Sequence, residues 1–281
     1  MTKRAVIITT SIIVAIITVL TILFGMVFRV RNINVKYSDN FVYKTEINNI
    51  IKDSKLKKND SIFEVNRSKI KTNIEKSYPY ARVEGVNISS MTSVKITLSN
   101  REPMYYLVED AIYYILDEDC KVLAVTNDVA QAQDYILLNN VFDVSESTIP
   151  GQFLNNNYTK VCLNLYKSLY SYIGEDADND GVLDNQSITR QDIWAVIRSV
   201  KFESVNELFG EVDNLVMTTS YGVKISIIEP QKNLDLKTNM ALSGIRTLIS
   251  RGQGEENSGT IVVRYSYDQN NNPTPKCEYH A

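Results

Sequence analysis

Residues 78–103 read YPYARVEGVNISSMTSVKITLSNREP, and this stretch decides how the first half of the chain folds. Tyr78-Pro79-Tyr80 ends a helix, because proline pushes the residue before it out of helical geometry. Two strands follow, Ala81 to Ile88 and Val94 to Ser99. In the second, Val94, Ile96 and Leu98 alternate with Lys95 and Thr97, the period of a strand with one buried face. Upstream, Asn66 is a natural N-cap for the helix, in which Ile70 and Ile74 share one side. Lys44 to Asp53 places Ile47, Ile50 and Ile51 at helical spacing. Val30 to Tyr37 (VRNINVKY) alternates like a half-buried strand. The order β-α-α-β-β makes a small three-stranded sheet with two helices on one face.

Further upstream, Ala5 to Phe28 is 24 residues without a charge. At 1.5 Å per residue such a helix spans about 36 Å, enough for a hydrocarbon core of about 30 Å. The run exceeds the apolar region of a signal peptide and ends in Val27-Phe28-Arg29-Val30-Arg31, with no small-x-small cleavage site. An uncleaved single-pass anchor is expected. Lys3 and Arg4 favour a cytoplasmic N-terminus with the large remainder translocated.

Downstream of Pro103, Met104 to Glu109 and Ile112 to Leu116 read as a hairpin. Asp117 to Cys120 turns into a third strand, Lys121 to Val125. Tyr158 to Ile173 is an amphipathic helix with Val161, Leu165, Leu169 and Tyr172 on one stripe. Strands resume at Val196 to Phe202, Asn214 to Thr218 and Val223 to Ile228. A helix from Asp235 to Arg251 carries Met240, Ala241, Ile245, Leu248 and Ile249 inward, and Thr260 to Tyr267 is the final strand. The Asn- and Pro-rich residues 269–281 are expected to be a disordered tail. The fold class is α+β.

Composition narrows the chemistry. The single histidine, His280, removes Ser-His-Asp triads, HExxH zinc sites and Cys-His pairs. Three scattered cysteines, Cys120, Cys162 and Cys277, form neither a C-x-x-C nor a disulfide scaffold, and all three read as unpaired thiols. Residues 29–100 hold 14 Lys/Arg against 7 Asp/Glu, whereas residues 101–281 hold 14 against 26. That asymmetry marks two units of different character, not a nucleic-acid binder.

Short motifs, taken in order, resemble the FtsQ/DivIB family of bacterial cell-division proteins. Ser61-Ile62-Phe63-Glu64-Val65-Asn66 and Tyr78 to Val86 resemble the two borders of the second helix of that family's POTRA module. Val94 to Pro103 is similar to its "I-x-V-x-E-R-x-P" junction, with Asn100 where Glu is usual. Tyr113-Tyr114-Ile115-Leu116-Asp117 and the following turn resemble "Y-Y-L-I-D-x-x-G", with Cys120 in the Gly position. Ile149 to Leu154 resembles "x-x-x-G-x-x-L", and Ile261-Val262-Val263-Arg264-Tyr265 resembles "V-D-L-R-Y".

The resemblance implies residues 1–4 as a cytoplasmic tail, 5–28 as a transmembrane helix, 29–100 as a POTRA domain and 101–268 as a mixed α/β domain with an extended, largely antiparallel sheet. It also implies a non-enzymatic divisome scaffold at the septal membrane. Its partners would be FtsL- and FtsB/DivIC-type coiled-coil proteins, with no nucleic acid and no small-molecule substrate. In the family the last strand region receives the FtsB/DivIC-type partner, which makes Val262, Arg264, Tyr265 and Ser266 the candidate partner-binding residues. An edge position for that strand would leave its backbone groups free for strand addition.

One insertion, 175–187, lies outside the family pattern. Asp176, Asp178, Asp180, Val182 and Asp184 fit the first nine positions of a calcium loop, D-x-D-x-D-G-x-Φ-D, with Gly181 at the sharp turn. Ser187 replaces the bidentate Glu at position twelve, so Ca²⁺ affinity would be weak, on the order of 10⁻⁴–10⁻³ M. No cofactor is otherwise required. Two alternatives remain open: a calcium-dependent, membrane-anchored adhesin or sensor, and an anchored cell-wall hydrolase. The second would need Ser-Lys or paired carboxylates, and no S-x-x-K occurs with supporting motifs.

Overall fold

Val94, Ile96 and Leu98 are buried along one face of strand β3 (Ser93–Asn100), as their alternation requires. In the computed structural model to which they belong, residues 11–19, 27–139, 141–145, 147–173, 197–207, 210–220, 222–250, 259–267 and 273–280 are described. The chain divides into two units, 1–101 and 102–281.

In the first unit β3 lies between β1 (Asn32–Tyr37) and β2 (Ala81–Ser90), parallel to the former and antiparallel to the latter. A register shift between Val83 and Gly85 lets Ala81, Val83 and Val86 all reach the core, although their spacing breaks strict alternation. Helices α1 (Ile47–Asp53) and α2 (Arg67–Ser77) connect β1 to β2. The Asn66 side chain accepts a 2.9 Å hydrogen bond from the Lys69 N–H, the cap expected of it. Ile50, Ile70 and Ile74 bury against the sheet residues. The β-α-α-β-β order is therefore as read from the sequence.

Arg101, the arginine of the junction motif, is 4% exposed. Its Nη2 lies 3.1 Å from Oε2 of Glu75, which is equally buried on α2. The other Glu75 oxygen accepts a 2.8 Å hydrogen bond from the Val83 N–H. Helix, strand and junction thus meet at one carboxylate.

The second unit is built on a nine-stranded mixed sheet in the order β12-β11-β10-β9-β8-β7-β4-β5-β6. Its strands are β4 (Tyr105–Glu109), β5 (Ile112–Leu116), β6 (Val122–Thr126), β7 (Ile136–Asn139), β8 (Ile197–Glu207), β9 (Gly210–Thr219), β10 (Lys224–Ile228), β11 (Thr260–Tyr267) and β12 (Pro273–His280). Pairing is parallel at β4–β7, β7–β8 and β10–β11 and antiparallel at the other junctions. Helices α3 (Thr159–Ile173) and α4 (Leu234–Ser250) pack on each other, and α4 also packs on β10, β11 and β12. Tyr105, Leu165, Met217, Ile225, Ala241, Ile245 and Val263 share the resulting core. The turn before β6 places Cys120 at φ 57°, the left-handed conformation that favours glycine.

Two sequence expectations are corrected here. Residues 273–280 are not a disordered tail but strand β12, paired along its whole length with β11. Its alternation explains this: Cys277 and Tyr279 pack against the core, while Thr274, Lys276 and His280 are exposed. Proline is compatible with a strand of this kind because it sits at an edge. In consequence β11 is not the edge strand, since β10 and β12 flank it on both sides.

The expected span 5–28 falls largely outside the described residues. Residues 11–19 are helical, and Ile12, Ile13, Val14, Ile16, Ile17 and Val19 are each about half exposed. Among the described residues no helix is long and apolar enough to cross a membrane.

Candidate functional site

The register of β11 with β12 sorts the candidate partner-binding residues. Val262 lies opposite Glu278, Arg264 opposite Lys276 and Ser266 opposite Thr274. Cross-strand partners share a face, and this one points away from α4, because Ile261, Val263 and Cys277 on the other side belong to the α4 core. Arg264 Nη2 lies 3.0 Å from Glu278 Oε2, Lys276 Nζ 2.6 Å from Glu278 Oε1, and His280 Nε2 3.8 Å from Oε2. Glu278 is thus ringed by basic side chains. The Lys276 ammonium, followed by the Arg264 guanidinium, holds its carboxyl below the usual glutamate range. Ser266 Oγ adds a 3.3 Å hydrogen bond to the Thr274 carbonyl.

The surface so formed is a mixed-charge ladder across β11 and β12, with Arg264 and Lys276 flanking Glu278. Only alternate residues of β12 turn their N–H groups outward, the others facing β11, and Pro273 and Pro275 have none to give, so an added strand can draw on only part of this edge's backbone donors. Sequence reading missed Lys276, Glu278 and His280. The signal was present in the alternation of Thr274, Lys276, Glu278 and His280 with Pro275, Cys277 and Tyr279.

Tyr265 belongs elsewhere. Its ring covers the ammonium of Lys237, 4.6 Å from Nζ to the ring centre, and its hydroxyl bonds the Asn233 side chain. Lys237 is fully buried in the first turn of α4 and donates to the carbonyls of Ile228 at 2.6 Å and Glu229 at 2.9 Å. Burial lowers its pKa from 10.5 to about 8, against the opposing pull of the Glu229 carboxylate. The structure therefore brings Val262, Arg264 and Ser266 together on one face and sets Tyr265 apart as the lid of a buried lysine. The calcium candidates Asp176, Asp178, Asp180, Val182 and Asp184 lie outside the described residues. Among the described residues no cluster of three or more His, Cys, Asp or Glu could hold a metal.

No family model matches the chain. It is, however, 29% identical over 103 residues to the cell division protein DivIB of Clostridium acetobutylicum, a match covering 37% of this chain and 39% of that one. It is 26% identical over 182 residues to the DivIB of Clostridium tetani, covering 54% of this chain and 66% of that one. The chain is similar to these two DivIB cell-division proteins. The matched stretches span less than two thirds of either DivIB. DivIB likeness also gives the buried Arg101–Glu75 contact its context, because the arginine of the family-like junction motif is here an internal tie between helix and sheet.

Proposed function

We propose that this protein is a non-enzymatic scaffold of the division machinery, held in the septal membrane by residues 5–28 with residues 29–281 outside the cytoplasm. Residues 29–100 act as its POTRA domain. Residues 101–280 capture FtsL- and FtsB/DivIC-type coiled-coil proteins and so help regulate septal peptidoglycan synthesis. The observation that carries this reading is the edge position of β12, whose outer side pairs with no strand among the described residues, in a chain that resembles DivIB. Strand addition would give affinity through backbone bonds, and Arg264 and Lys276 on one face would select an acidic partner segment.

The pairing of Arg264 with Glu278 shapes the test. Arg264→Glu alone would set two carboxylates face to face and loosen β12, mixing partner loss with local unfolding. The informative variants are Lys276→Gln, which removes a charge without setting a second carboxylate against Glu278, and the Arg264→Glu, Glu278→Arg exchange, which keeps an internal ion pair. Capture of FtsL- and DivIC-type proteins from detergent-solubilised membranes should fall at least tenfold in Lys276→Gln. Removal of residues 273–280 should abolish it, while depletion of the whole protein should block septation. Wild-type capture by the chain lacking residues 273–280 would sink the assignment of the surface. Normal septation on depletion would sink the division role itself.

A further inference from the structure

Where the uncharged run Ala5–Phe28 ends, the chain is stitched at once to two loops of the first unit. One loop, 57–64, lies between α1 and α2. The Phe28 carbonyl accepts from the Ile62 N–H at 2.9 Å, the Val30 N–H donates to the Asp60 carbonyl at 2.9 Å, and the Val30 carbonyl accepts from the Asn59 N–H at 2.8 Å. Arg29 completes this short antiparallel ladder opposite Ser61. The other loop is the turn Met91-Thr92 between β2 and β3. Its Thr92 carbonyl accepts from the N–H groups of Arg31 at 2.8 Å and Asn32 at 3.2 Å. Backbone bonds therefore hold both loops at the point where the apolar run ends.

Each loop carries a large apolar side chain at its surface. Ile62 turns into the core, while Phe63 beside it is 70% exposed, its ring centre 5.2 Å from that of Phe28, the last residue of the apolar run. Met91 is 62% exposed at a two-residue turn, a place that Gly, Asn and Asp ordinarily fill. Single exposed hydrophobes are ordinary on protein surfaces. Two at the tips of separate loops, both bonded to the residues that follow an apolar run, call for an occupant at that end of the unit. Arg29, Arg31, Lys57 and Lys58 are exposed around them. The acids of the same loops are Asp60, whose carboxylate accepts from the Lys57 N–H at 2.8 Å, and Glu64. Cations thus outnumber acids four to two, the balance that an anionic headgroup layer attracts.

We propose that Phe63 and Met91 are the tips of a membrane-seating surface. Both enter the headgroup layer of the outer leaflet, with Arg29, Arg31, Lys57 and Lys58 against anionic lipid headgroups. The occupant is the lipid surface itself, because the backbone that holds the two loops continues directly into the run that would cross it; the proposal rests in this respect on the single-pass anchor proposed above. Apolar side chains at interfacial depth, with basic side chains at the headgroups, are the combination that holds a protein surface on a bilayer. Three attachments, the run and the two loops, fix the first unit against the membrane plane, where a single tether would let it swing. Strand β3 leads away from this surface. Its first residue, Ser93, adjoins the Met91-Thr92 turn, and its last, Asn100, lies about 23 Å along the strand. There the Asn100 side chain accepts from the Val42 N–H at 3.1 Å, so Val42, 59% exposed, marks the end of the unit remote from lipid.

The test uses the full chain in nanodiscs of phosphatidylcholine and phosphatidylglycerol whose acyl chains are brominated near the headgroup. With the single native tryptophan removed by Trp194→Phe, the substitutions Phe63→Trp, Met91→Trp and Val42→Trp each place one reporter at an exposed position. The Phe63→Trp and Met91→Trp reporters should emit at shorter wavelength and be quenched by roughly twofold or more relative to unbrominated discs, while Val42→Trp should be unchanged. Quenching at either loop no greater than at Val42→Trp would overturn the proposal and leave these side chains to a protein partner. Resistance of the same chains to alkaline carbonate extraction from membranes is measured in parallel. A chain that stays in the membrane with unquenched loops sinks the seating surface and leaves the anchor standing. A chain that carbonate releases sinks the anchor and the seating surface together.

Discussion

Replacing Arg101 by alanine is expected to destabilise the first unit by about 3–5 kcal/mol, the usual consequence of stripping one partner from a buried ion pair. The guanidinium and the Glu75 carboxylate are both nearly inaccessible and lie 3.1 Å apart. Without Arg101, Glu75 keeps the ammonium of Lys71, 3.8 Å away on the same helix with its own side chain half exposed. An exposed i,i+4 contact of this kind stabilises by only about 0.3–0.5 kcal/mol, far less than the burial of a carboxylate costs. The double variant Glu75→Met, Arg101→Met should be much closer to wild type than either single change, because it removes both charges and keeps apolar volume. Urea unfolding combined with amide hydrogen exchange at β2 and β3 would read this out. The Val83 amide, bonded to Glu75 at 2.8 Å, should lose protection first. An Arg101→Ala protein within about 1 kcal/mol of wild type would show that the contact is incidental.

The contrast between what pattern reading reaches and what it does not is visible at this same residue. The strand leading to Arg101 was legible because Val94, Ile96 and Leu98 obey a two-residue period. The helix carrying Glu75 was legible from its Asn66 cap and its Ile70–Ile74 stripe. That the two ends meet at one carboxylate was not, since a pairing across a sheet and a helix leaves no local period. The same limit applies at Cys120, whose turn geometry could be inferred from its position in a D-x-x-C turn, while the hydrogen bond that its carbonyl accepts from the Leu154 N–H could not. Strand β12 failed for a different reason. Asn and Pro around residues 270–275 outweighed the alternation of Lys276, Glu278 and His280, and the apolar partners that justify the strand lie on β11 and α4. Lys237 did leave a trace. It falls four and eight residues before Ala241 and Ile245, on the buried stripe of its helix, where a lysine requires an internal partner.

That lysine predicts a pH dependence of opposite sign to ordinary acid unfolding. Below about pH 8 Lys237 is charged in both the folded and unfolded chain, and the folded state bears the full cost of burying an ammonium. Between about 8 and 10.5 the folded chain has released the proton while the unfolded chain still holds it. The unfolded state then binds more protons, and stability rises with pH. The shift allows a gain on the order of 1–3 kcal/mol. Tyrosines in the same unit work the other way. Tyr105 and Tyr158 are both raised by burial, so they lose stability as pH climbs past 10. The window for the lysine is therefore pH 7.5–9.5, and the clean measure is a difference between proteins. Lys237→Met keeps the stem that packs under Tyr265 and removes the titrating group, leaving the Ile228 and Glu229 carbonyls to accept elsewhere. Urea unfolding followed by Trp194 fluorescence should show wild type gaining on Lys237→Met by 1–3 kcal/mol across that window. Parallel stability profiles for the two proteins would mean that the ammonium is already compensated by the two carbonyls and the Tyr265 ring.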